Sequence, residues 1–190
     1  MSLADRIRYF AMPKHPLFAV ILILTAAGYF LITASADADE NAAKTDTAAL
    51  TGEMQIRLVA AHNALRDEVG VPPLKWSDTL AAYARERADT IQRQDCKLQH
   101  REGEIYGENL AWSGRTNLFP DQVVAMWAKK ADFYDYTTNS CARSEICAHY
   151  TQMVWRSTRA VGCARARCSK GEVWVCNYDP PGNWVGERPY

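Results

Sequence analysis

The segment CAHYTQMVWRST, residues 147–158, places histidine, threonine and glutamine inside an otherwise apolar run. If the segment is helical, its spacing puts His149 and Gln152 on the same side as the apolar Met153. Polar and apolar side chains are then not separated as they are in an ordinary amphipathic helix. A neutral imidazole can bind a cation or polarise a water, although a histidine taken alone is more often a hydrogen-bonded structural group.

Other catalytic patterns are scarce. The sequence contains neither a G-x-S-x-G nucleophile elbow nor an H-E-x-x-H zinc motif. A cysteine nucleophile is disfavoured because every cysteine has a plausible disulfide partner. Serine hydrolysis by Ser113 or Ser157 with a histidine is an arrangement that one sequence leaves open.

Composition bounds the class of protein. The chain has 190 residues, of which 48% are apolar, and this suits one domain with a sizeable core. Its formal charge of zero and pI near 6.9 argue against nucleic acid as a partner, because nucleic-acid binders usually carry a clustered basic excess. We therefore expect a monomer that does not bind nucleic acid.

Residues 1–36 are predicted to be a signal peptide or a membrane anchor. Basic residues precede an uncharged apolar run over residues 17–33, slightly shorter than the roughly 20 residues that a spanning helix needs. Ala34-Ser35-Ala36 follows with the small-residue pattern that signal peptidase accepts. Both alternatives export the rest of the chain, and membrane contact is expected only through this segment.

A linker and a domain with disulfides are predicted next. Residues 37–52 are rich in Ala, Asp and Thr, which is typical of a mobile linker, so the domain is assigned to residues 53–190. All six cysteines lie in this domain, and an even number in an exported chain predicts disulfides. A zinc cluster competes with that interpretation, but the chain lacks the C-x-x-C pairs on which structural zinc sites usually draw.

Hydrophobic periodicity predicts four helices and a hairpin. The first helix is expected to stop at Gly70 and the prolines after it. The helices are expected over residues 54–69, after Ser77 or Asp78, from Pro120 to Lys130, and over CAHYTQMVWRST. Alternation in VGCARARC and EVWVCNY, around Ser169-Lys170-Gly171, predicts the hairpin.

Five segments of the chain resemble the CAP superfamily of cysteine-rich secretory, antigen 5 and plant pathogenesis-related proteins. CAHYTQMVWRST and VWVCNYDPPGNW match its two diagnostic signatures, and the order of the cysteines also matches. The other three segments are HNALR from His62, VPPLKW from Val71 and YGENLAW from Tyr106. The likeness covers about residues 54–186 and is nearest to the plant pathogenesis-related branch.

The resemblance implies a fold and a disulfide pattern. The fold is α+β, a three-layer α-β-α sandwich with a small antiparallel sheet between helical layers. The family's pairing, carried onto matching positions, joins Cys96 to Cys168, Cys141 to Cys147, and Cys163 to Cys176. Each bond is expected to contribute about 2 to 4 kcal/mol by restricting the denatured chain.

The resemblance also implies a cleft of two histidines and two glutamates. His100 and His149 match the histidines and Glu108 the first glutamate, whereas Lys130 stands where the family has the second. A protonated ammonium cannot ligate a metal and repels a nearby cation. No cofactor is therefore obligatory, and a divalent cation such as zinc is expected to bind weakly or not at all, through His100 and His149. Lys130 can instead pair with Glu108.

Glu145, His62 and Asn63 are polar residues outside the four matched cleft positions. Glu145 shares a helix face with His149 only if the helix extends back past Cys147, whose disulfide makes that start doubtful. Otherwise Glu145 is a solvated loop carboxylate. His62 and Asn63 of HNALR are expected to satisfy buried backbone groups.

The function predicted from these observations is binding rather than catalysis. A secreted, non-enzymatic protein would hold a sterol or other lipid in an apolar groove, or a protein partner on the cleft surface. The resemblance adds a role in defence or host interaction. The alternative is a metal-assisted, peptidase-like hydrolase at His100, Glu108 and His149, against which Lys130 argues.

Overall fold

The computed structural model describes residues 49–103, 105–114 and 117–190. The signal or anchor predicted for residues 1–36, and the predicted linker as far as residue 48, lie outside these residues. Leu50, near the end of the predicted linker, packs into the core. In the part of the chain described, no helix is both long and apolar enough to cross a membrane.

Within the described ranges, four α-helices form where periodicity predicts them. They are α1 (Gly52–Glu68), α2 (Asp78–Arg93), α3 (Pro120–Ala128) and α4 (Ala148–Met153). Ser77 caps α2, because its Oγ accepts from the backbone N–H of Leu80 at 3.3 Å. The third helix ends earlier than predicted: a 3-10 helix over Lys129–Phe133 replaces its last turn, so Lys130 is outside α3.

The strands form a four-stranded sheet and a small two-stranded one. In chain order they are β1 (Lys75–Trp76), β2 (Gly107–Gly114), β3 (Tyr134–Asp135), β4 (Ser140–Cys141), β5 (Ala160–Cys168) and β6 (Gly171–Asp179). The main sheet has the order β1-β5-β6-β2, and β5 and β6 make the predicted hairpin. It is mixed rather than wholly antiparallel, because β1 runs parallel to β5, with α2 between them in the chain.

Helices cover both faces of the main sheet, because β6 carries apolar side chains on both of its faces. Val173 and Val175 join the cluster that Ala84 and Ala88 of α2 complete on one face. Trp174, Cys176 and Tyr178 of β6 join a second cluster with α1 and α3, on the opposite face. Both faces of β6 are buried, as strand periodicity requires of a central layer. The predicted three-layer sandwich is confirmed.

Three disulfides cross-link the domain. The bonds are Cys96–Cys168, Cys141–Cys147 and Cys163–Cys176, the pairing that the resemblance implies. The first joins the segment after α2 to the end of β5, and the last crosses the β5–β6 pair. The short bond closes a six-residue separation directly before α4. All three restrict segments that lead into or support the cleft described next.

Candidate functional site

A cleft of about 420 Å³ opens where β2 begins. Its walls come from the α2–β2 connection, the start of β2, the N-terminal end of α4 and the segment after β6. His100, Glu108 and His149, which the sequence places in a common site, all line it. The structure thus gathers residues from three separate parts of the chain, whereas Lys130 lies outside this lining.

Glu108 forms the buried end of the cleft. Its Oε1 accepts from His100 Nδ1 at 2.9 Å, and the Arg101 backbone N–H lies 3.4 Å from the same oxygen. The Glu108 side chain is fully buried, whereas the His100 side chain is 58% exposed. A carboxylate removed from water needs such donors, so Oε1 is engaged by the protein itself.

His149 is half-buried at the start of α4 and stacks on Trp127 of α3, with ring centroids 6.2 Å apart. Burial lowers the pKa of His149, and electrostatic interactions with His100 and Lys130 lower it further. At neutral pH its imidazole is therefore uncharged. It then has one N–H donor and one nitrogen acceptor to present to a ligand.

Lys130 pairs with Glu145 rather than with Glu108, the partner considered from the sequence. Its Nζ lies 3.0 Å from Glu145 Oε2, and each side chain is about one-third exposed. Glu145 is not on the helix face of His149, because α4 begins only at Ala148, after the Cys141–Cys147 loop. An exposed pair of this kind contributes less than about 1 kcal/mol.

Replacing Lys130 with glutamine is expected to raise the pKa of His149. The lysine charge disfavours the imidazolium form, so its removal makes protonation of His149 easier. An NMR titration of the His149 ring measures this midpoint, and Lys129→Gln, one residue earlier and exposed, is the matched control. A midpoint that is identical in Lys130→Gln and wild type contradicts the assignment.

The remaining polar residues of CAHYTQMVWRST hold the segment after β6. Thr151 Oγ1 donates to Asn183 Oδ1 at 2.6 Å, and Gln152 Oε1 accepts from the Gly182 backbone N–H at 3.1 Å. Gly107 lies so close that a Cβ there would overlap Gln152 Oε1. Threonine and glutamine therefore interrupt the apolar run because they support a cleft wall, while His149 faces the cleft.

His62 and Asn63 satisfy buried backbone groups, as predicted. His62 Nδ1 lies 2.8 Å from the Leu58 carbonyl, and Asn63 bonds the backbone N–H and carbonyl of Leu74 at 2.7 and 3.1 Å. Burial lowers the pKa of His62 to about 4, so its imidazole is neutral near pH 7. His62 Nε2 also reaches the Tyr178 hydroxyl, at 3.0 Å, which periodicity in the sequence does not reveal.

Three buried residues that support the cleft are not predicted from the sequence. Arg66 is fully buried although arginine is rarely so, and Asn109 and Tyr178 are buried behind the cleft. A signal for Arg66 exists in HNALR, where it follows His62 by four residues and thus shares its helix face. Asn109 and Tyr178 lie in matched segments but have no pattern that distinguishes them from core residues.

Weak or absent zinc binding at the cleft stays a prediction, and three observations bear on it. No group of three or more His, Cys, Asp or Glu in the described ranges is arranged to hold a metal ion. The Glu108 oxygen that faces His100 is occupied by that hydrogen bond. The Lys130 ammonium is also close enough to lower the pKa of His149, and it would repel a cation bound there.

Comparison with known proteins agrees with the fold. The family model described as "Cysteine-rich secretory protein family", CAP, matches residues 59–178. Pathogenesis-related protein 1C of Nicotiana tabacum is 48% identical over 131 residues, which are 68% of this chain and 77% of that protein. Pathogenesis-related protein 1 of Arabidopsis thaliana is 43% identical over 153 residues, 75% of this chain and 92% of that protein.

A solved structure shows the same architecture. The venom allergen-like protein 4 of Schistosoma mansoni superposes with a TM-score of 0.58 and 30% identity, over 73% of this chain and 94% of that one. The expected likeness to plant pathogenesis-related proteins and the expected sandwich fold are therefore confirmed.

Proposed function

This chain belongs to the cysteine-rich secretory protein (CAP) family, and we propose from that premise that it acts outside the cell as a non-enzymatic binding protein. Three disulfides support an oxidising compartment, since such bonds persist chiefly in exported proteins. The relatives named pathogenesis-related support a role in defence. Any membrane contact is assigned to the N-terminal segment.

The proposed ligand is a lipid with a hydroxyl group, such as a sterol, and the observation that carries it is the contrast between cleft floor and rim. On the floor, neutral His149 carries one ring nitrogen that donates and one that accepts, and a ligand hydroxyl can bond to either of them. On the rim, Ile146 and Trp184 are 62% and 56% exposed. Exposed apolar side chains beside a few polar groups are typical of sites for amphipathic ligands.

The hydrolase alternative is supported only by the grouping of His100, Glu108 and His149 in one cleft. Its metal would need a third ligand where Lys130 stands, and Glu108 Oε1 already accepts from His100. Neither Ser113 nor Ser157 lines the cleft. A hydrolytic nucleophile is thus not supplied by the residues around His149.

Native mass spectrometry of the exported, oxidised protein with sterol and phospholipid tests the proposal. One sterol per chain is expected, and it should persist when a chelator is added. Trp184→Ala is expected to weaken binding about tenfold, because it removes most of the apolar contact at the rim. Trp112→Ala is the control, since Trp112 is also exposed but does not line the cleft.

Three outcomes would overturn the lipid assignment. They are the absence of any lipid adduct, equal losses in Trp184→Ala and Trp112→Ala, and capture of a protein partner without lipid. An adduct that needs zinc and disappears in His149→Ala would instead favour the metal-dependent alternative.

A further inference from the structure

Helix α4 carries the side chains that build the cleft, but it is too short to hold its own position. It has six residues, and Cys147 at its N-terminal boundary provides no side-chain cap. Isolated helices below about 12 to 15 residues are marginal in water. The orientation of His149 must therefore be set by contacts from outside α4.

At the C-terminal end of α4, these contacts come from Arg66 of α1. Its guanidinium donates to the carbonyls of Met153 and Trp155 at 2.8 and 3.0 Å. It also donates to the carbonyls of Pro72 and Thr158, at 2.7 and 3.0 Å. The last carbonyls of a helix lack intrahelical donors, so Arg66 supplies donors that the helix cannot.

At the N-terminal end, a hydrogen-bonded relay leads back to the same face of α1. Asn109 Nδ2 donates to the His149 carbonyl at 3.0 Å and to the Tyr178 hydroxyl at 3.2 Å. The Tyr178 hydroxyl lies 3.0 Å from His62 Nε2, and His62 Nδ1 lies 2.8 Å from the Leu58 carbonyl. The relay thus connects α1, the end of β6, β2 and α4.

The direction of each hydrogen bond in this relay can be assigned, because the relay ends at carbonyl groups that can only accept. A carbonyl can only accept, so His62 Nδ1 donates to Leu58 and, in the neutral ring, Nε2 accepts from the Tyr178 hydroxyl. The Tyr178 oxygen is then left to accept from Asn109. This fixes the Asn109 amide with its nitrogen towards the His149 carbonyl.

We propose that His62 and Arg66 of α1 are positioning residues for the cleft, with Arg66 holding the end of α4 directly and His62 holding its start through Tyr178 and Asn109. The two lie four residues apart, so one buried helix face reaches both ends of α4. The placement of His149 is thereby determined from the core, on the side away from solvent. This inference concerns the geometry of α4 and does not require the lipid proposed above.

Tyr178→Phe in the oxidised protein is the primary test, because it keeps the ring in the core and removes only the hydroxyl of the relay. NMR should show shifted His149 ring resonances and about tenfold faster hydrogen exchange of the α4 amides. The pH midpoint of His149 should also rise, as a loosened α4 exposes the ring. Tyr150→Phe is the matched control: it removes a hydroxyl from α4 itself that bonds Tyr190 at 3.1 Å, outside the relay.

A purely structural role for Tyr178 would give a different result. Tyr178→Phe would then lower thermal stability while leaving the His149 resonances and midpoint equal to wild type, and this outcome would overturn the inference. If Tyr178→Phe does not fold, Asn109→Asp replaces it, because the carboxylate has nearly the same shape but no N–H donors. Unchanged His149 resonances in a folded Asn109→Asp protein would overturn the inference equally.

Discussion

Gly162→Ala is expected to lower the free energy of unfolding by about 4 kcal/mol or more, or to prevent folding. A Cβ at residue 162 would lie within 2.6 Å of backbone atoms of Ser77, Leu80 and Ala81. These atoms form the start of α2, where no side chain can rotate away. The helix would have to move off β5, and with it one of the two core clusters.

Urea denaturation of the oxidised protein measures this loss. Gly52→Ala is the matched control, because a Cβ at Gly52, in the first turn of α1, meets nothing within 4 Å. It should be neutral or slightly stabilising, since alanine restricts the unfolded chain more than glycine does. Equal stabilities for Gly162→Ala and Gly52→Ala would show that α2 does not sit as closely on β5 as described.

Arg66→Met is expected to cost about 3 to 5 kcal/mol of stability. Methionine fills much of the volume, but four carbonyls lose the hydrogen bond from Arg66, and the bonds to Met153, Trp155 and Thr158 are buried. Burial already lowers the pKa of Arg66 to about 10, so removing the charge recovers part of the desolvation cost. The lost hydrogen bonds outweigh that gain, chiefly at the buried Met153 carbonyl, because the Trp155 and Thr158 carbonyls keep the Thr158 backbone N–H and the Arg159 guanidinium as donors.

Two comparison variants separate the effect of the Arg66 charge from the effect of its hydrogen-bond geometry. Arg66→Lys retains a cation but has a single ammonium in place of the planar fork, so an intermediate loss is expected. Arg57→Met removes a surface pair with Asp121 and a cation–π contact with Phe119, and should cost less than Arg66→Met because Arg57 is partly exposed. An Arg66→Met protein as stable as wild type in urea would mean that the carbonyls find other donors.

Local patterns predict the long elements of this fold well. The stripe over residues 54–69 predicts α1, and the alternation in EVWVCNY predicts that β6 has two chemically distinct faces. The two-residue β1 has too few positions to show any period, so its parallel pairing with β5 is not predictable. The 3-10 turn at Lys130 is missed because an apolar stripe does not distinguish an α-helical last turn from a 3-10 turn, which is frequent at helix ends.

Local patterns do not predict the cleft, because its residues are far apart in the chain. His100, Glu108 and His149 were identified through resemblance, and no spacing in the sequence brings residues 100 and 149 together. The support from Arg66 and Tyr178 was missed for the same physical reason. Hydrogen bonds that span 87 and 116 residues leave no local signature.

The strand order also has a consequence for folding during synthesis, because β2 pairs with a strand that is made much later. β2 has β6 as its only neighbour in the main sheet of the described residues, although more than 50 residues separate them in the chain. In the export proposed above, β2 would emerge before β6 and would remain unpaired until β6 follows. Its Leu110 and Ala111 are exposed to other chains until then, so retention of unfinished molecules by chaperones should be most needed in this interval.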